Sequence, residues 1–219
     1  MLPRTLEPEV MESLEDAIDY DAMDHCDVNR VFVGDFLATA PDVSEILDLG
    51  TGTAQIPIEL CRRSADARVV AVDLSTEMLL VAKANVEVAS LRERIMLDCQ
   101  DAKGLPYADG RFSAVISNSI VHHIPDPAPS LAEAVRVLRN GGRIFVRDLA
   151  RPDSVEKVRA IVQQYASGAN EHQRKLFGDS LHAALSLEEM REMVVALGFA
   201  PETVQLTSDR HWTWSSIKP

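Results

Sequence analysis

The sequence predicts an α/β fold in which a mostly parallel sheet is covered by helices. From Ile46 onward, short apolar runs alternate with segments of helical periodicity, as βαβ units require. The first run contains an aspartate and breaks at a glycine turn, which is typical of a strand that leads into a ligand-binding helix. A length of 219 residues suits one such domain with a small helical addition.

The N-terminal part, residues 8–38, is predicted to be a helical extension that precedes the sheet. Its apolar residues recur at helical spacing. They are Val10, Leu14, Ile18, Val31, Phe32 and Leu37. We therefore divide the chain into an extension, residues 1–40, and a main domain, residues 41–219.

Five strands are predicted in the first part of the main domain, and helices separate most of them. The strands are Glu45–Leu49, Arg68–Val72, Ile95–Asp98, Ala114–Ser117 and Arg143–Asp148. The helices are Ala54–Arg63, Thr76–Ser90 and Pro129–Arg139. We expect Ser75 to cap the start of the second helix and residues 140–142, Asn-Gly-Gly, to end the third.

Residues 152–182 are polar and irregular with helical character, and we predict a helical cap there. Tyr165, His172 and Phe177 in this segment are candidates for lining a substrate pocket. After it, Ser186 and Glu189 form the capping-box pattern at the start of a helix.

The end of the chain is predicted to be a β-hairpin. The helix Leu187–Leu197 stops at Gly198, and two alternating runs follow, Glu202–Thr207 and His211–Ile217. Such a hairpin adds an antiparallel strand to the sheet. Trp212 and Trp214 share one face of the last strand, so we expect them in the core.

Charge and cysteine usage limit the classes of partner and compartment. With 22 basic and 34 acidic residues, the formal charge is −12, which repels nucleic acids and anionic lipids. No apolar run has the length of a membrane span, and the N-terminal residues lack the apolar core of a signal peptide. The three cysteines are far apart, and we expect Cys99 in the core. We predict a cytoplasmic monomer or homodimer without a membrane or nucleic-acid partner.

The turn Gly50-Thr51-Gly52 follows the first predicted strand and opens a helix. Glycines there allow unusual backbone angles and leave room for a ligand against the main chain. Glycine turns after strands are common, so the turn alone is weak evidence. The dinucleotide fingerprint also needs a glycine three residues after Gly52, where Gln55 stands, which disfavours NAD.

Aspartates near the ends of three successive strands make the pattern more specific. Asp48 is costly to bury unless a ligand ammonium or a water network pairs with it. Asp73 can accept hydrogen bonds from both hydroxyls of a ribose, or it can cap the following helix. Asp101 can accept one from an adenine amino group while Ala102 supplies a backbone donor, and Asp98 competes for this role. These carboxylates indicate a crevice for an adenosine.

The stretch from Ile46 to Asp148 resembles the class I S-adenosylmethionine-dependent methyltransferases, especially the small-molecule branch that includes the ubiquinone/menaquinone C-methyltransferases. ILDLGTGTA resembles the family's first motif, with Ala54 in place of its third glycine. VVAVDLSTEML resembles the ribose motif, in which Asp73 is the acid. Gln100–Pro127 resembles the adenine motif and the fourth strand, and Arg136–Leu149 resembles the helix and strand that close the core.

This resemblance implies a doubly wound, Rossmann-like, mostly parallel sheet of seven strands with an antiparallel C-terminal strand. It implies S-adenosylmethionine as the cofactor and transfer of a methyl group to an oxygen, nitrogen or carbon of a small molecule. In the family, residues in these positions bind the cofactor. They are Gly50, Thr51, Gly52, Asp73 and Asp101, with Leu74 and Met78 flanking the adenine and Asn118 near the methionine part. Tyr20 could hydrogen-bond the cofactor carboxylate, or be an ordinary surface tyrosine.

The loop SNSIVHHIPD, residues 117–126, is where the resemblance places the chemistry. His122 or His123 could act as a general base, because imidazole titrates near neutral pH. Alternatively, His123 packs under the loop, His122 makes a structural hydrogen bond, and positioning alone supplies the rate. No His, Cys, Asp or Glu group has metal-ligand spacing along the sequence, so we expect no metal.

Two other functions stay open at this stage. One is a non-catalytic S-adenosylmethionine-binding protein, and the other is a nicotinamide-dependent oxidoreductase, which the glycine spacing disfavours. The acceptor cannot be read from the sequence, because its specificity would reside in residues 8–38 and 152–182, which contain the fewest motifs.

Overall fold

The computed structural model describes residues 2–7, 13–23 and 26–219. Val10 and the rest of residues 8–12 of the predicted extension, together with residues 24 and 25, lie outside this part. The chain forms two compact units. One consists of residues 1–9, 119–127 and 147–214, and the other of residues 10–118, 128–146 and 215–219.

The described residues form helices and strands in the predicted alternation. The helices are α1 Leu14–Asp21, α2 Cys26–Ala38, α3 Gln55–Arg63, α4 Thr76–Val88, α5 Ala128–Val137, α6 Val155–Tyr165, α7 Glu171–Ala183 and α8 Leu187–Ala196. The strands are β1 Ile46–Leu49, β2 Val69–Asp73, β3 Ile95–Cys99, β4 Phe112–Asn118, β5 Leu138–Leu149, β6 Val204–Leu206 and β7 His211–Ile217. A short 3-10 helix, Pro201–Thr203, precedes β6.

The seven strands form one sheet in the order β3-β2-β1-β4-β5-β7-β6. Strand β1 pairs in parallel with β2 and β4, β2 pairs in parallel with β3, and β6 pairs antiparallel with β7. The predicted doubly wound, mostly parallel sheet with an antiparallel C-terminal hairpin is confirmed. Residues 152–182 contain α6 and most of α7, which confirms their helical character.

The N-terminal helix α2 is held by aromatic packing against the sheet. Phe32 and Phe36 are fully buried, and their ring centroids lie 5.3 and 5.8 Å from that of Phe145 on β5. Burying a phenylalanine side chain contributes about 2 kcal/mol of stability. The same core includes Ile58 of α3 and Ile46 of β1, so α2 belongs to the core around the first strands.

The predicted N-terminal caps of two helices are confirmed. The Ser75 hydroxyl accepts a hydrogen bond from the Met78 N–H at the start of α4, as predicted. Ser186 and Glu189 form the predicted capping box at α8.

The two tryptophans of β7 lie in the core, as expected. Trp214 is fully buried and contacts Phe199 edge-on. Trp212 is fully buried too.

The prediction that residues 140–142 end α5 is wrong. The helix ends at Val137, and the Asn-Gly-Gly segment lies inside β5. Its backbone pairs with the end of the chain: the Gly141 N–H donates to the Lys218 carbonyl, and the Lys218 N–H donates to the Gly142 carbonyl. A contact between distant parts of the chain thus overrides the local glycine signal.

Cys99 is exposed, so its predicted place in the core is wrong. Strand β3 lies at the edge of the sheet, and of its five residues Ile95 alone is buried. Cys61 is buried, Cys26 is exposed, and none of the three cysteines forms a disulfide. Within the described ranges, no helix is long and apolar enough to cross a membrane.

Gly142 provides a test of the packing between β5 and its neighbours. A Cβ at this position would lie 2.6 Å from Leu138 Cδ1 and 2.9 Å from the Ser113 carbonyl oxygen. We expect Gly142→Ala to lower the free energy of unfolding by about 2 kcal/mol, because the core must shift to admit a methyl group. Denaturant unfolding measures this change.

The matched control is Gly168→Ala, since a Cβ there would meet no atom within 4 Å. This variant should unfold within about 0.5 kcal/mol of the wild type. Equal effects of the two substitutions would contradict the packing described for β5.

Candidate functional site

The sequence-predicted ligand groups converge because the strands that carry them are adjacent and parallel. In the register of the sheet, Leu49 of β1 lies between Val72 of β2 and Ser117 of β4. Asp73 at the end of β2 lies beside Cys99 of β3. The C-terminal ends of four strands therefore meet at one edge. Between β1 and β4 the order of connection reverses, which is where α/β sheets bind ligands.

The glycine turn is held against the end of β2. Gly50 and Gly52 have φ angles of 70° and 55°, in the left-handed region that favours glycine. The N–H groups of Gly50 and Thr51 both donate to the Val72 carbonyl, at 2.9 Å each. Ala54, at the position of the family's third glycine, is also left-handed, with φ 64°. The turn keeps the glycine-type conformation despite this substitution.

Asp73 ties the turn to the start of α4. Its Oδ2 accepts a hydrogen bond from the Gly52 N–H at 2.8 Å, and its Oδ1 accepts one from the Ser75 N–H at 2.9 Å. Burial raises the pKa of Asp73, and the hydrogen bonds from Ser75 and Gly52 oppose that rise. A backbone hydrogen bond from Leu74 acts in the same direction. A carboxylate offers about four acceptor positions, so the group keeps some capacity for a ligand.

Asp48 is a buried acceptor behind the turn. Its side chain is 1% exposed, and its Oδ2 has no hydrogen-bond partner among the described residues. Burial raises the pKa of Asp48 to about 7, the nearby Thr51 hydroxyl lowers it, and the charge of Asp73 raises it. The buried Thr51 Oγ1 makes no hydrogen bond of good geometry within this part of the chain either. Both oxygens can therefore accept a hydrogen bond from a polar or positively charged ligand.

Tyr20 at the end of α1 lies beside the turn. A Cβ built on Gly52 would be 3.9 Å from Tyr20 Cε1, and the tyrosine is half-buried. Burial and the charges of Asp73 and Asp21 raise the pKa of Tyr20, so its hydroxyl stays a donor at neutral pH. This position differs from that of an ordinary surface tyrosine.

The residue that fixes α1 over the turn was not found from the sequence. Asp21 Oδ1 accepts hydrogen bonds from Gln55 Nε2 and Asn85 Nδ2, both at 2.9 Å. Asn85 also donates to the Thr53 carbonyl at 3.1 Å. Gln55, which stands where a dinucleotide fold needs glycine, thus holds the N-terminal helix. No local motif marks Asp21, since its partners lie on α3 and α4.

Asp101 follows β3, and its Oδ1 binds Lys103. Its Oδ1 accepts from the Lys103 N–H at 2.9 Å and lies 3.1 Å from Lys103 Nζ. Burial alone would raise the pKa of Asp101, but Lys103 lowers it overall. Its competitor Asp98 binds Tyr107 through Oδ2 and Gln100 through Oδ1. The geometry therefore favours Asp101 over Asp98 as the carboxylate that accepts a hydrogen bond from a ligand.

Apolar and polar side chains complete this edge of the sheet. Met78 is buried in the first turn of α4, and Leu74 just before the helix is 41% exposed. Ala102 is half-buried beside Asp101. Asn118 ends β4 and is half-buried; it directly follows Ser117, the register partner of Leu49. All four lie at or just after the C-terminal ends of adjacent strands.

His122 lies in the other unit and is bound to a buried aspartate. It is 4% exposed, and its Nδ1 is 2.5 Å from Asp148 Oδ1. The N–H groups of Val121 and His122 donate to Asp148 Oδ2 at 2.6 and 3.1 Å. Burial lowers the pKa of His122, but the charge of Asp148 and its hydrogen bond raise it overall. The structural hydrogen bond expected for His122 is confirmed.

His123 does not pack under the loop, so that expectation is wrong. Its side chain is 37% exposed, and His122 is the buried member of the pair because Asp148 binds it. Glu7, from the N-terminal segment, approaches both rings. Its Oε1 is 3.5 Å from His122 Nε2 and 3.2 Å from His123 Nδ1.

The predicted pocket residues of the helical segment have different surroundings. The Tyr165 hydroxyl donates to Asp209 Oδ2 at 2.7 Å, and the Arg210 guanidinium lies 3.4 Å from its ring centre. Phe177 packs against a small apolar cluster that contains Leu181. His172 is exposed on α7. The structure does not bring these three predicted residues together in one described pocket.

Comparison with known proteins agrees with the motifs. Residues 47–146 match the family model described as a methyltransferase domain. The chain is 30% identical over 165 residues to the demethylmenaquinone methyltransferase of Porphyromonas gingivalis, covering 70% of this chain and 67% of that protein. It is 30% identical over 181 residues to the demethylmenaquinone methyltransferase of Thermus thermophilus, covering 78% of this chain and 81% of that protein.

Other relatives are matched over less of their length, and solved structures share the fold. For the demethylmenaquinone methyltransferases of two Bacteroides fragilis strains, the match spans 109 residues, 44% of each protein. The plantazolicin methyltransferase BpumL, solved with a desmethylplantazolicin analogue and S-adenosylhomocysteine, has a TM-score of 0.66 and 15% identity. That match covers 94% of this chain and 90% of BpumL.

The buried carboxyl of Asp48 predicts a pH-dependent stability. Its folded pKa of about 7 exceeds the unfolded value, so the carboxyl costs stability as the pH rises from about 4 to 7. We expect Asp48→Asn to raise the free energy of unfolding by about 1–3 kcal/mol at pH 8, and by less at pH 5. Denaturant unfolding of the ligand-free protein at both pH values measures the difference.

The control for this experiment is Asp153→Asn, because the Asp153 carboxylate is exposed. It should change stability little and equally at the two pH values. An Asp48→Asn variant that is less stable than the wild type at pH 8 would show that the ionised Asp48 is compensated in the folded protein.

Proposed function

We propose that this chain methylates an oxygen, nitrogen or carbon atom of a small molecule. The proposal follows from its family, since the chain belongs to the class I S-adenosylmethionine-dependent methyltransferases. Its activity is methyl transfer, and its cofactor is S-adenosylmethionine. The named relatives support a small acceptor, since they act on demethylmenaquinone. A net charge of −12 also disfavours a nucleic-acid substrate. No observation supports the nicotinamide-dependent or the non-catalytic alternative.

The carboxylate of Asp73 carries the proposed cofactor site. It accepts backbone hydrogen bonds from Gly52, Ser75 and Leu74, and its remaining acceptor capacity would bind the ribose hydroxyls. Gly50, Thr51 and Gly52 would allow the cofactor to lie against the main chain of the turn. The left-handed glycines fit this role because they present no Cβ there.

The methionine part of the cofactor would bind near two buried oxygen atoms that lack a hydrogen-bond partner among the described residues. Asp48 Oδ2 and Thr51 Oγ1 would accept hydrogen bonds from the ammonium group, directly or through water. The hydroxyl of Tyr20 would donate to the carboxylate, and Asn118 would contact the same part. These residues fit an amino-acid moiety because they combine buried acceptors with a protonated donor.

The adenine would bind after β3. Asp101 Oδ2 would accept from the amino group, since Oδ1 is committed to Lys103, and the Ala102 N–H would donate to the ring. Leu74 and Met78 would pack against its faces. The adenine would cover the partly exposed side chain of Leu74.

When bound, the cofactor supplies a methyl group that its sulfonium already activates. The chain then needs to hold the acceptor in line and exclude water, and we propose that this positioning provides most of the rate. A general-base role for His122 or His123 stays a prediction. The contacts of His122 favour a structural role, because Nδ1 binds Asp148 and Nε2 faces Glu7.

Residues 1–40 would contribute to the cofactor site, and residues 152–182 would select the acceptor. A cytoplasmic location is supported by three cysteines without a disulfide. We expect a monomer or homodimer.

Binding of S-adenosylhomocysteine tests the proposed site. We expect it to raise the melting temperature of the wild type, and we expect Asp73→Asn to weaken its binding at least tenfold, about 1.4 kcal/mol. The asparagine keeps the shape and one acceptor oxygen but replaces the other oxygen by a donor. Titration calorimetry gives both affinities, and Asp66→Asn, an exposed carboxylate, is the control.

Acceptor chemistry is tested on the same proteins. With S-adenosylmethionine and a panel of phenols, amines and reduced quinones, we expect one class to release S-adenosylhomocysteine faster with the wild type than with Asp73→Asn. Cofactor binding without transfer to any acceptor would favour the non-catalytic alternative. Failure of S-adenosylhomocysteine to stabilise the wild type would refute the cofactor site itself.

A further inference from the structure

Three metal-ligating side chains converge in the unit that contains the loop after β4. They are Glu7 from the N-terminal segment and the neighbours His122 and His123. One ligand atom from each lies within 4.8 Å of the other two. We propose that this cluster binds a divalent first-row transition-metal ion.

The donor set fits such an ion. Two imidazoles and one carboxylate bind zinc, iron and related divalent ions in many proteins. Bonds of about 2.0–2.1 Å hold ligand atoms roughly 3.0–3.4 Å apart. Glu7 Oε1 is 3.5 Å from His122 Nε2 and 3.2 Å from His123 Nδ1, which is close to this spacing, and all three ligand atoms lie within 4.8 Å of one another.

The orientation of His122 leaves a lone pair directed at the cluster. When Nδ1–H donates to Asp148 Oδ1, the neutral ring carries its lone pair on Nε2. That nitrogen faces Glu7 Oε1, which is buried and has no hydrogen-bond partner among the described residues. A cation compensates both atoms: either a proton on Nε2 or, in our proposal, a metal ion that replaces this proton. A carboxylate that orients a metal-bound histidine through its other nitrogen is the usual supporting contact.

The protein holds both sides of the cluster in place. Glu7 Oε2 accepts from the Ser180 hydroxyl at 3.2 Å, which leaves Oε1 for the ion. Arg4 on the same segment donates to the carbonyls of His122 and Ile124 at 3.1 and 2.9 Å, and to that of Ala183 at 2.6 Å. These bonds fix the segment and the loop before an ion arrives, as a preorganised site requires.

The ion would fasten residues 2–7 to the loop. His122 and Glu7 are 4% and 12% exposed, whereas His123 is 37% exposed, so the ion would enter past His123. Water would complete its coordination there. We expected no metal because no group of ligands has metal-type spacing along the sequence, and Glu7 is distant from the histidines there. Binding only to the folded protein, the ion would raise its stability.

The test uses the full chain without an affinity tag, after chelator treatment. Zn²⁺ alone is titrated by calorimetry, and Co²⁺ by its visible absorption, which reports on the ligands. We expect one ion per chain, a higher melting temperature with Zn²⁺, and at least tenfold weaker binding in Glu7→Gln and in His123→Gln. His172→Gln, which removes an exposed histidine of α7, should bind like the wild type.

The two cluster variants keep side-chain volume, and Glu7→Gln replaces only a charged oxygen. Circular dichroism and melting without metal establish that they fold. No saturable binding of one Zn²⁺ or Co²⁺ by the wild type would overturn the proposal, as would unchanged binding in both cluster variants. Binding of S-adenosylhomocysteine is measured separately, so failure here leaves the proposed function untouched.

Discussion

The hydrogen bond from the Gly52 N–H to Asp73 Oδ2, at 2.8 Å, is the contact on which the proposed cofactor site depends. It joins the turn after β1 to the end of β2, and two further N–H groups of the turn donate to the Val72 carbonyl. Asp21 then places α1, with Tyr20, beside the same turn. One carboxylate therefore shapes the main chain and still offers acceptor positions to a ligand.

Buried acceptors without a matching donor distinguish both candidate sites. Asp48 lies behind the glycine turn with an unsatisfied oxygen, and Glu7 Oε1 faces two imidazoles in the other unit. Desolvated carboxyls cost stability unless a donor or a cation compensates them. S-adenosylmethionine brings positive charge to the first site, and a metal ion would bring it to the second. At each site the uncompensated carboxyl lowers the stability of the ligand-free protein and favours binding of a positively charged ligand.

The sequence predicted the sheet, and it placed most of the proposed cofactor residues at one edge of that sheet, because both inferences depend on local signals. Apolar runs that end at Gly50 and Asp73 mark the strand ends within one or two residues. The predictions are wrong where contacts between distant parts of the chain determine the local structure. Residues 140–142 pair with Lys218 instead of ending a helix, and Cys99 is exposed because β3 is an edge strand. Glu7 reaches the histidines through contacts that no local motif encodes.

The most direct test of the central claim pairs a change in Asp73 with a change in the ligand. S-adenosylhomocysteine and its analogues lacking the 2′- or 3′-hydroxyl are titrated by calorimetry into the wild type and into Asp73→Asn. The structure predicts that removing a hydroxyl weakens binding to the wild type about tenfold, and that most of this penalty disappears in the variant. An equal penalty in both proteins would contradict the assignment of the ribose to Asp73.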